Sequence, residues 1–458
     1  MAPSSIREYS GLLTDLYELT MAAGYFQTCF DANATFELFV RRLPPQRNFL
    51  VAAGLEQALE FAENVRFSLA DVEYVRRHPA FGRVRADFFD YLSRLRFTGE
   101  IWAIPEGSIV FAGEPLLRVT APVIEAQILE THLLSAINFQ TMIASRAARV
   151  FLAAKGRPIV EFGARRAHGM DAGVYAARAS WIAGCEGTSN VLAGHRFNIP
   201  TYGTQAHSWI MAYEDESEAF GRFLDVFPEH ATLLVDTYNV RAAIKKIIAS
   251  GRKPAGVRLD SGNLAADSRW VRQQLKRAGW SDVQIFASGD LDEHKIASLL
   301  RQGAEVDAFG VGSALVAPTD APNLGMIYKL VEIERGGRVR QTAKLSESKA
   351  TYPGRKQIFR FADSRGIWKS DLIALADELY SNARPLLVPV MREGKRLAPA
   401  EPLTAARSRF LGATKHLPPR LLSLSHALPY PVRYSKRLKS SLEEVRRRVR
   451  SADSLVSR

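Results

Sequence analysis

Short apolar runs separated by polar or glycine-bearing loops repeat along residues 158–316 of this 458-residue chain. The runs are "PIVEF" (158–162), "IPTYG" (199–203), "TLLVD" (232–236), "GVRLD" (256–260), "VQIFA" (283–287) and "VDAFG" (306–310). Continuous apolar runs this short suit strands covered on both faces. The stretches between them follow another period. In "NVRAAIKKIIASG", Val240, Ala243, Ile244, Ile247 and Ile248 recur at i, i+3, i+4, i+7 and i+8, and Gly251 follows as a stop. "DSRWVRQQLKRAG" and "DEHKIASLLRQG" each begin on an acid and end on glycine, as the helix dipole and C-capping favour. Strand followed by helix, repeated, predicts parallel strands joined by right-handed crossovers.

An open doubly wound sheet and a closed barrel both satisfy that repeat. Polar motifs follow nearly every strand, as the C-terminal rim of a barrel requires, instead of gathering at one topological switch point. The predicted fold class is therefore α/β, an irregular (β/α) barrel over 126–340. Residues 1–125 alternate differently, in runs such as "ATFELFV" and "GEIWAIPEGSIVFAGEPLLRV", and predict a second, α+β domain with antiparallel strands. "TYPGRKQIFRF" and "RPLLVPVM" are further strand candidates, so 341–430 is expected to pack back on the first domain. No repeat or low-complexity linker interrupts the chain.

Composition narrows the class. At 47% apolar content the chain can bury two cores. Two cysteines, Cys29 and Cys185, without CxxC spacing, argue against a disulfide framework or a zinc site and fit a reducing compartment. The N-terminal "MAPSSIREYSGLLTD" shows no secretory pattern, and Thr131 to Ser145 is broken by His132, Asn138 and Gln140, short of the roughly 18 apolar residues of a membrane helix. A cytoplasmic protein without membrane contact is expected. Of the net +13, residues 391–458 carry +11, with 16 Lys plus Arg against 5 Asp plus Glu, which leaves +2 for the rest. The tail, 431–458, ending in "KSSLEEVRRRVR", is expected to be a solvated, frayed helix. No RNA- or DNA-binding signature accompanies it, so no nucleic-acid partner is expected.

The chemistry lies in the loops after the strands: "EFGARRAHGMD", "CEGTSNVLAG", "TYGTQAHS", "VDTYN", "VRLDSGN", "ASGDLDE" and "GVGSALV". Small residues between strand and helix leave backbone N–H groups free for an anion. Arg165 and Arg166 follow Phe162, and Arg258 sits inside an otherwise apolar strand, where an unpaired cation is expensive. Either Arg258 forms a structural ion pair with Asp260 or Asp236, or it receives a carboxylate or phosphate bidentately. Arginines, glycine turns and aspartates on one rim suit a polyanionic sugar phosphate. His207, lone between a polar loop and an apolar run, is by itself an ordinary core or surface histidine as readily as a functional one.

"LLTDLYELTMAAGYF", "FELFVRRLPPQRNFLVAAGLEQAL", "EFGARRAHGMDAG", "GTSNVLAG", "GTQAHS", "VRLDSGNL" and "FGVGSALV" together resemble the nicotinate phosphoribosyltransferase family, in order, over about residues 11–400. The resemblance implies a type II phosphoribosyltransferase homodimer with the active site at the subunit interface. It implies transfer of phosphoribosyl from 5-phosphoribosyl 1-pyrophosphate to nicotinate, with ATP as co-substrate and Mg2+ as cofactor, in the Preiss–Handler route to NAD. On the matching positions, His207 is the autophosphorylated residue. Phe162 and the other subunit's equivalent of Tyr17 sandwich the pyridine ring, while Arg258 and Thr204 take its carboxylate. Arg165, Gly289, Gly312 and Ser313 hold the 5-phosphate, with Ser261 and Gly262 also facing the phosphoribosyl group. Asp260 takes the ribose hydroxyls, and Asp236 and Asp290 position pyrophosphate and magnesium. Many relatives carry Thr where Ser313 stands, which keeps the hydroxyl. Nicotinamide phosphoribosyltransferases place Asp in the loop where this chain has Ser189, which favours the acid over the amide. Quinolinate phosphoribosyltransferase shares such a barrel but is typically shorter and lacks the phosphorylated histidine. A non-catalytic relative that binds ligand without turnover would also carry these loops, although the intact set His207, Arg258, Asp260 and Asp290 argues against it.

Overall fold

A computed structural model describes residues 9–346, 350–425 and 429–456. Residues 1–8, the start of the stretch without a secretory pattern, lie outside the described residues, as do 457–458 of the tail. The chain divides into two compact units. The first comprises Met1–Thr141, Asn323–Leu422 and His426–Arg458, and the second Met142–Pro322 with Ser423–Ser425.

The second unit holds a six-stranded sheet in the order Gly187–Thr188, Ile159–Glu161, Ala308–Val311, Gln284–Ala287, Gly256–Leu259 and Thr232–Leu234, every pair parallel. Its strands are buried as their apolar runs require: Ile159, Leu233, Leu234, Val257, Leu259, Ile285, Ala287, Phe309 and Val311 are each sealed from solvent. Helix Val240–Ala249 buries Ala243, Ile244 and Ile247, the stripe its period predicts, and the Asn239 side chain caps its first turn through Ala242 N. Helix Leu264–Arg277 starts three residues before Asp267, the acid expected to begin it, because Asn263 supplies the cap through Ala266 N. Helix Glu293–Arg301 is capped by Asp292, which accepts from Lys295 N at 2.7 Å.

Two local expectations fail here. "IPTYG" is not a strand: Thr201 makes one isolated parallel bridge to Thr188, and on the other side the Gln205 side chain, not the backbone, accepts from Leu234 N at 3.1 Å. Pro200 lacks an N–H, and Thr201 to Gly203 are exposed, so nothing extends the ladder. Conversely Gly187–Thr188, too short to show a period, pairs with Val160 and Glu161. No continuous ladder among the described residues joins Gly187–Thr188 to Thr232–Leu234, so the structure shows a parallel α/β sheet and does not establish a closed barrel.

The first unit is built on a seven-stranded antiparallel sheet in the order Arg338–Gln341, Met326–Arg335, Asn33–Val40, Pro115–Pro122, Glu100–Ala103, Val388–Arg392 and Lys395–Arg396. The antiparallel reading of the N-terminal region holds, and "RPLLVPVM" contributes Val388–Arg392 to the same sheet. Met326–Arg335, expected within the barrel region, instead pairs along its length with Asn33–Val40. A four-stranded sheet carries Arg384–Pro385, Lys356–Ala362, Trp368–Leu375 and Val432–Tyr434. The C-terminal segment is not a solvated run. Val432–Tyr434 adds a parallel strand, and helix Lys436–Val456 buries Leu438, Leu442 and Val445, at i, i+4 and i+7, while Arg447 and Arg448 remain exposed. High charge concealed a narrow apolar stripe.

Thr131 to Ser145 lies within helix Glu130–Ala154, and no helix among the described residues is long and apolar enough to cross a membrane. Both cysteines are free thiols, Cys29 exposed and Cys185 buried.

Candidate active site

The loops at the carboxyl ends of the parallel strands enclose a cavity of about 870 Å³ in the second unit. Phe162, Arg165, Thr204, His207, Arg258, Asp260, Ser261, Gly262, Gly289, Asp290, Gly312 and Ser313 all line it. Asp236 does not line it but lies directly behind: its Oδ2 accepts from Asp260 N at 3.0 Å and from Ser261 Oγ at 2.6 Å, and its Oδ1 is buried with no hydrogen-bond partner. Tyr17 is the exception. It stands on helix Leu16–Gln27 of the first unit, 45% exposed, where burial and the Glu130 and Glu18 carboxylates push its hydroxyl pKa up.

Strand geometry explains Arg258. It occupies the third position of Gly256–Leu259, with Val257 and Leu259 sealed on the opposite face of the pleat. Its Nη1 donates to Thr204 Oγ1, its Nη2 lies 3.6 Å from Asp260 Oδ1, and its Nε is buried without a partner. Burial lowers its pKa, and Asp260 and Asp236 offset only part of that effect. The guanidinium is thus held at two corners with hydrogen-bonding capacity in reserve.

Backbone conformations fix the rest of the wall. Gly289 has φ +91°, and a Cβ there would meet Asp260 O at 1.7 Å, so no other residue fits. Asp290 follows in the left-handed region at φ 47°. Phe162 is braced by Phe286 at 5.5 Å between ring centroids, and a Cβ on Gly310 would meet the Phe162 ring at 2.8 Å. Asp260 accepts from Ser288 Oγ and has its Oδ2 3.8 Å from His207 Nε2. The other His207 nitrogen, Nδ1, pairs with Thr237 Oγ1 at 3.1 Å, so Nε2 is the nitrogen left for chemistry.

Sequence reasoning misses several residues of the wall. Lys295 looks like an ordinary helix-surface lysine, yet its Nζ donates to Asp290 O at 2.7 Å and it lines the cavity. Gln205 and Ser288 sit beside candidate residues but carry no charge to draw notice. Glu161 is fully buried beneath the Phe162 loop, with burial raising its pKa.

A parallel α/β unit with an arginine-lined cavity and glycine turns after its strands has the chemistry suited to anionic ligands at the carboxyl edge of its sheet. Comparison with known proteins sharpens this class. Profiles of the nicotinate phosphoribosyltransferase N-terminal domain, the nicotinate phosphoribosyltransferase family and the nicotinate phosphoribosyltransferase C-terminal domain match residues 12–138, 158–358 and 379–442. Nicotinate phosphoribosyltransferase pncB2 of Mycobacterium tuberculosis is 43% identical over 451 residues, covering 96% of this chain and 95% of its own. Nicotinate phosphoribosyltransferase of Bacillus subtilis is 43% identical over 386 residues, covering 82% and 78%. The crystal structure of human nicotinic acid phosphoribosyltransferase superposes with a TM-score of 0.82 at 28% identity, covering 94% of this chain and 99% of that one. The chain belongs to the nicotinate phosphoribosyltransferase family.

Proposed function

We propose that this protein transfers the phosphoribosyl group of 5-phosphoribosyl 1-pyrophosphate to nicotinate, giving nicotinate mononucleotide and pyrophosphate, as the first step of NAD synthesis from nicotinate. The observation that carries the reading is Arg258: a partly buried cation with a buried, unpartnered Nε, in one cavity with Phe162 and His207. A guanidinium in such a site takes a planar carboxylate in a fork. The names of the relatives point the same way. Thr204, whose oxygen accepts from Arg258, orients that fork. Phe162 stacks on the ring. Ser189 in the lining is uncharged, where an acidic side chain would repel the nicotinate carboxylate.

The pyridine nitrogen is already nucleophilic and needs no general base. It attacks C1 on the face opposite pyrophosphate, and the C1–O bond breaks with oxocarbenium character. Asp260 holds the ribose hydroxyls, while Arg165, Gly289, Gly312 and Ser313 cradle the 5-phosphate. Catalysis is positioning and charge stabilisation. The donor set suits magnesium: Asp236 Oδ1 is a buried carboxylate oxygen without a hydrogen-bond partner, and Asp290 lines the cavity. Asp236 and Asp290 would hold the ion, which neutralises pyrophosphate charge when bound.

His207 couples the reaction to ATP in this reading. In the tautomer with the proton on Nδ1, which donates to Thr237 Oγ1, Nε2 carries the lone pair that attacks the γ-phosphorus; the bond to the bridging oxygen breaks, ADP leaves, and water later hydrolyses the phosphohistidine. We also read the sheet as an irregular barrel, since the segment around Thr201 and Gln205 touches both of its end strands. A homodimer is supported by exposed apolar side chains in the loops and helix starts beyond the strand ends, among them Met170 (88%), Val191 (74%) and Tyr202 (49%), with Tyr17 exposed on the first unit.

The test is product formation from nicotinate and from nicotinamide, with phosphoribosyl pyrophosphate and magnesium, with and without ATP, for the parent and His207→Ala. Nicotinate turnover that rises with ATP in the parent only is the expected result. Preference for nicotinamide would overturn the role of Ser189, and release of no mononucleotide from either base would leave a ligand-binding relative.

A further inference from the structure

Glu161 closes the Ile159–Glu161 strand between two partners, Val311 on one side and Thr188 on the other. Its side chain is fully buried. A buried carboxylate is unfavourable unless its oxygens are satisfied, and here they are satisfied by the two loops that flank the cavity. Oε1 accepts from Gly163 N, the residue after Phe162. Oε2 accepts from Thr188 Oγ1 at 2.6 Å, and Thr188 Oγ1 in turn accepts from Asn190 N at 2.9 Å. The Glu161 carbonyl accepts from Ser189 N at 2.9 Å. One residue therefore ties Phe162's loop to the Thr188–Asn190 turn.

Neither loop has slack elsewhere. A Cβ on Gly163 would lie 2.8 Å from Glu161 Oε1 and 2.9 Å from Gly312 O, so the backbone rests directly on the carboxylate. A Cβ on Gly187 would meet Pro200 O at 2.4 Å, which fixes the far side of the Thr188 turn.

We propose that Glu161 is a positioning residue that fixes the gap between the Phe162 ring and Ser189, and thereby sets which pyridine base the cavity accepts. This rests on the reading of Phe162 and Ser189 as the base-binding pair. Glu161 touches no substrate. It acts through the backbone of 163 and 189 and the hydroxyl of Thr188, and a shift of about 1 Å in such a wall costs on the order of 10²-fold in a base-dependent step.

Glutamine and alanine separate geometry from charge. In Glu161→Gln the amide oxygen still accepts from Gly163 N and the amide nitrogen donates to Thr188 Oγ1, so both ties survive without the charge. Steady-state kinetics with nicotinate, nicotinamide and phosphoribosyl pyrophosphate are measured for the parent, Glu161→Gln, Glu161→Ala and Thr188→Val. Glu161→Gln is expected to stay within about threefold of the parent, while Glu161→Ala raises KM for nicotinate roughly 10- to 100-fold, as loss of a supporting contact typically does. KM for phosphoribosyl pyrophosphate stays near the parent value, and the preference for nicotinate over nicotinamide falls. Thr188→Val, which removes the Oε2 tie and the Asn190 N bond but keeps the Gly163 tie, moves in the same direction by less and serves if Glu161→Ala does not fold.

Equal loss with both bases at unchanged preference overturns the proposal, and so does a Glu161→Gln variant as damaged as Glu161→Ala. If the parent itself turns over neither base, the functional reading fails instead. Amide hydrogen exchange at 163 and 188–190 then decides the positioning role, which requires faster exchange in Glu161→Ala and parent-like exchange in Glu161→Gln.

Discussion

Two of the arginines in strand interiors of this protein, one in each unit, are withdrawn from solvent for different ends. Arg360, in Lys356–Ala362 of the first unit, is saturated: Nε reaches both Asp371 oxygens at 3.0 Å, Nη2 reaches Oδ2 at 2.6 Å, and Nη1 donates to Ile109 O at 2.9 Å. Its guanidinium also lies 4.1 Å from the centre of the Trp368 ring. Burial works against its charge, yet the Asp371 carboxylate more than compensates and the pKa rises. Arg258, in the second unit, has one clear bond, a carboxylate at 3.6 Å and an orphan Nε, and its pKa falls. A buried cation whose nitrogens all bond within the protein is architecture. One whose donors are partly idle at a cavity wall is poised for a ligand.

The largest effect should come from breaking the saturated site. Arg360→Met strands Asp371, which also accepts from Tyr430 at 3.0 Å, beside the buried Glu114, whose pKa burial already holds high. Loss of one partner of a buried pair costs about 3–5 kcal/mol. Urea unfolding is expected to show a loss of that size, while kcat/KM of the fraction that remains folded stays near the parent. A variant that kept its stability and lost its turnover would dissolve the contrast.

Arg258→Gln should show the opposite signature. Truncating a charge that forks a bound carboxylate costs about 2–5 kcal/mol, so kcat/KM for nicotinate is expected to fall roughly 30-fold or more. Stability should drop by only about 1 kcal/mol, the size of one ordinary hydrogen bond. Isothermal titration with nicotinate alongside a thermal melt separates the two quantities. Parent-like binding with a large loss of stability would make Arg258 a second Arg360.

Sequence alone does not tell these two arginines apart, because a cation in an apolar strand reads the same whether its partner is a neighbouring Asp or a ligand. Arg258 draws notice as a cation inside an apolar run among polar, glycine-bearing loops, and Arg360, in the equally quotable "QIFRF", passes as ordinary strand. Longer patterns are more legible. The helix stripe Ala243, Ile244, Ile247 follows from its 3.6-residue period, and the parallel strands follow from short continuous apolar runs bounded by polar loops. What fails is short or masked by charge: Gly187–Thr188 has too few residues for a period, and Leu438, Leu442 and Val445 are hidden among arginines. The loop residues of the cavity are legible by type, but Asp236, expected at the cavity, stands one bond behind it. Lys295 is missed because its role depends on the Asp290 carbonyl, a contact no side-chain pattern encodes.

A partly buried titratable group completes the contrast and carries the smallest effect. His132 in the first unit lies flat against Phe61, ring centroids 3.7 Å apart and planes within 9°. Burial pushes its pKa down to about 4, only partly opposed by a bond to the Gln57 backbone. The ring is therefore neutral in the native state where the unfolded chain, with a pKa near 6.5, takes up a proton. Between pH 6.5 and about 4 the unfolded state binds more protons, so stability falls as pH falls, by at most about 1.4 kcal/mol per unit. From pH 6.5 to 5 that amounts to roughly 1–2 kcal/mol. His132→Phe keeps the stack and removes the titration. Its loss of the Gln57 bond is a constant offset, so the difference in unfolding free energy between parent and variant is expected to shift in the variant's favour as pH drops through this window and to stay flat above pH 7. A difference that stayed constant from pH 7.5 to 5 would mean that His132 titrates normally in the folded protein, and that burial beside Phe61 does not hold it neutral as saturation holds Arg360 charged.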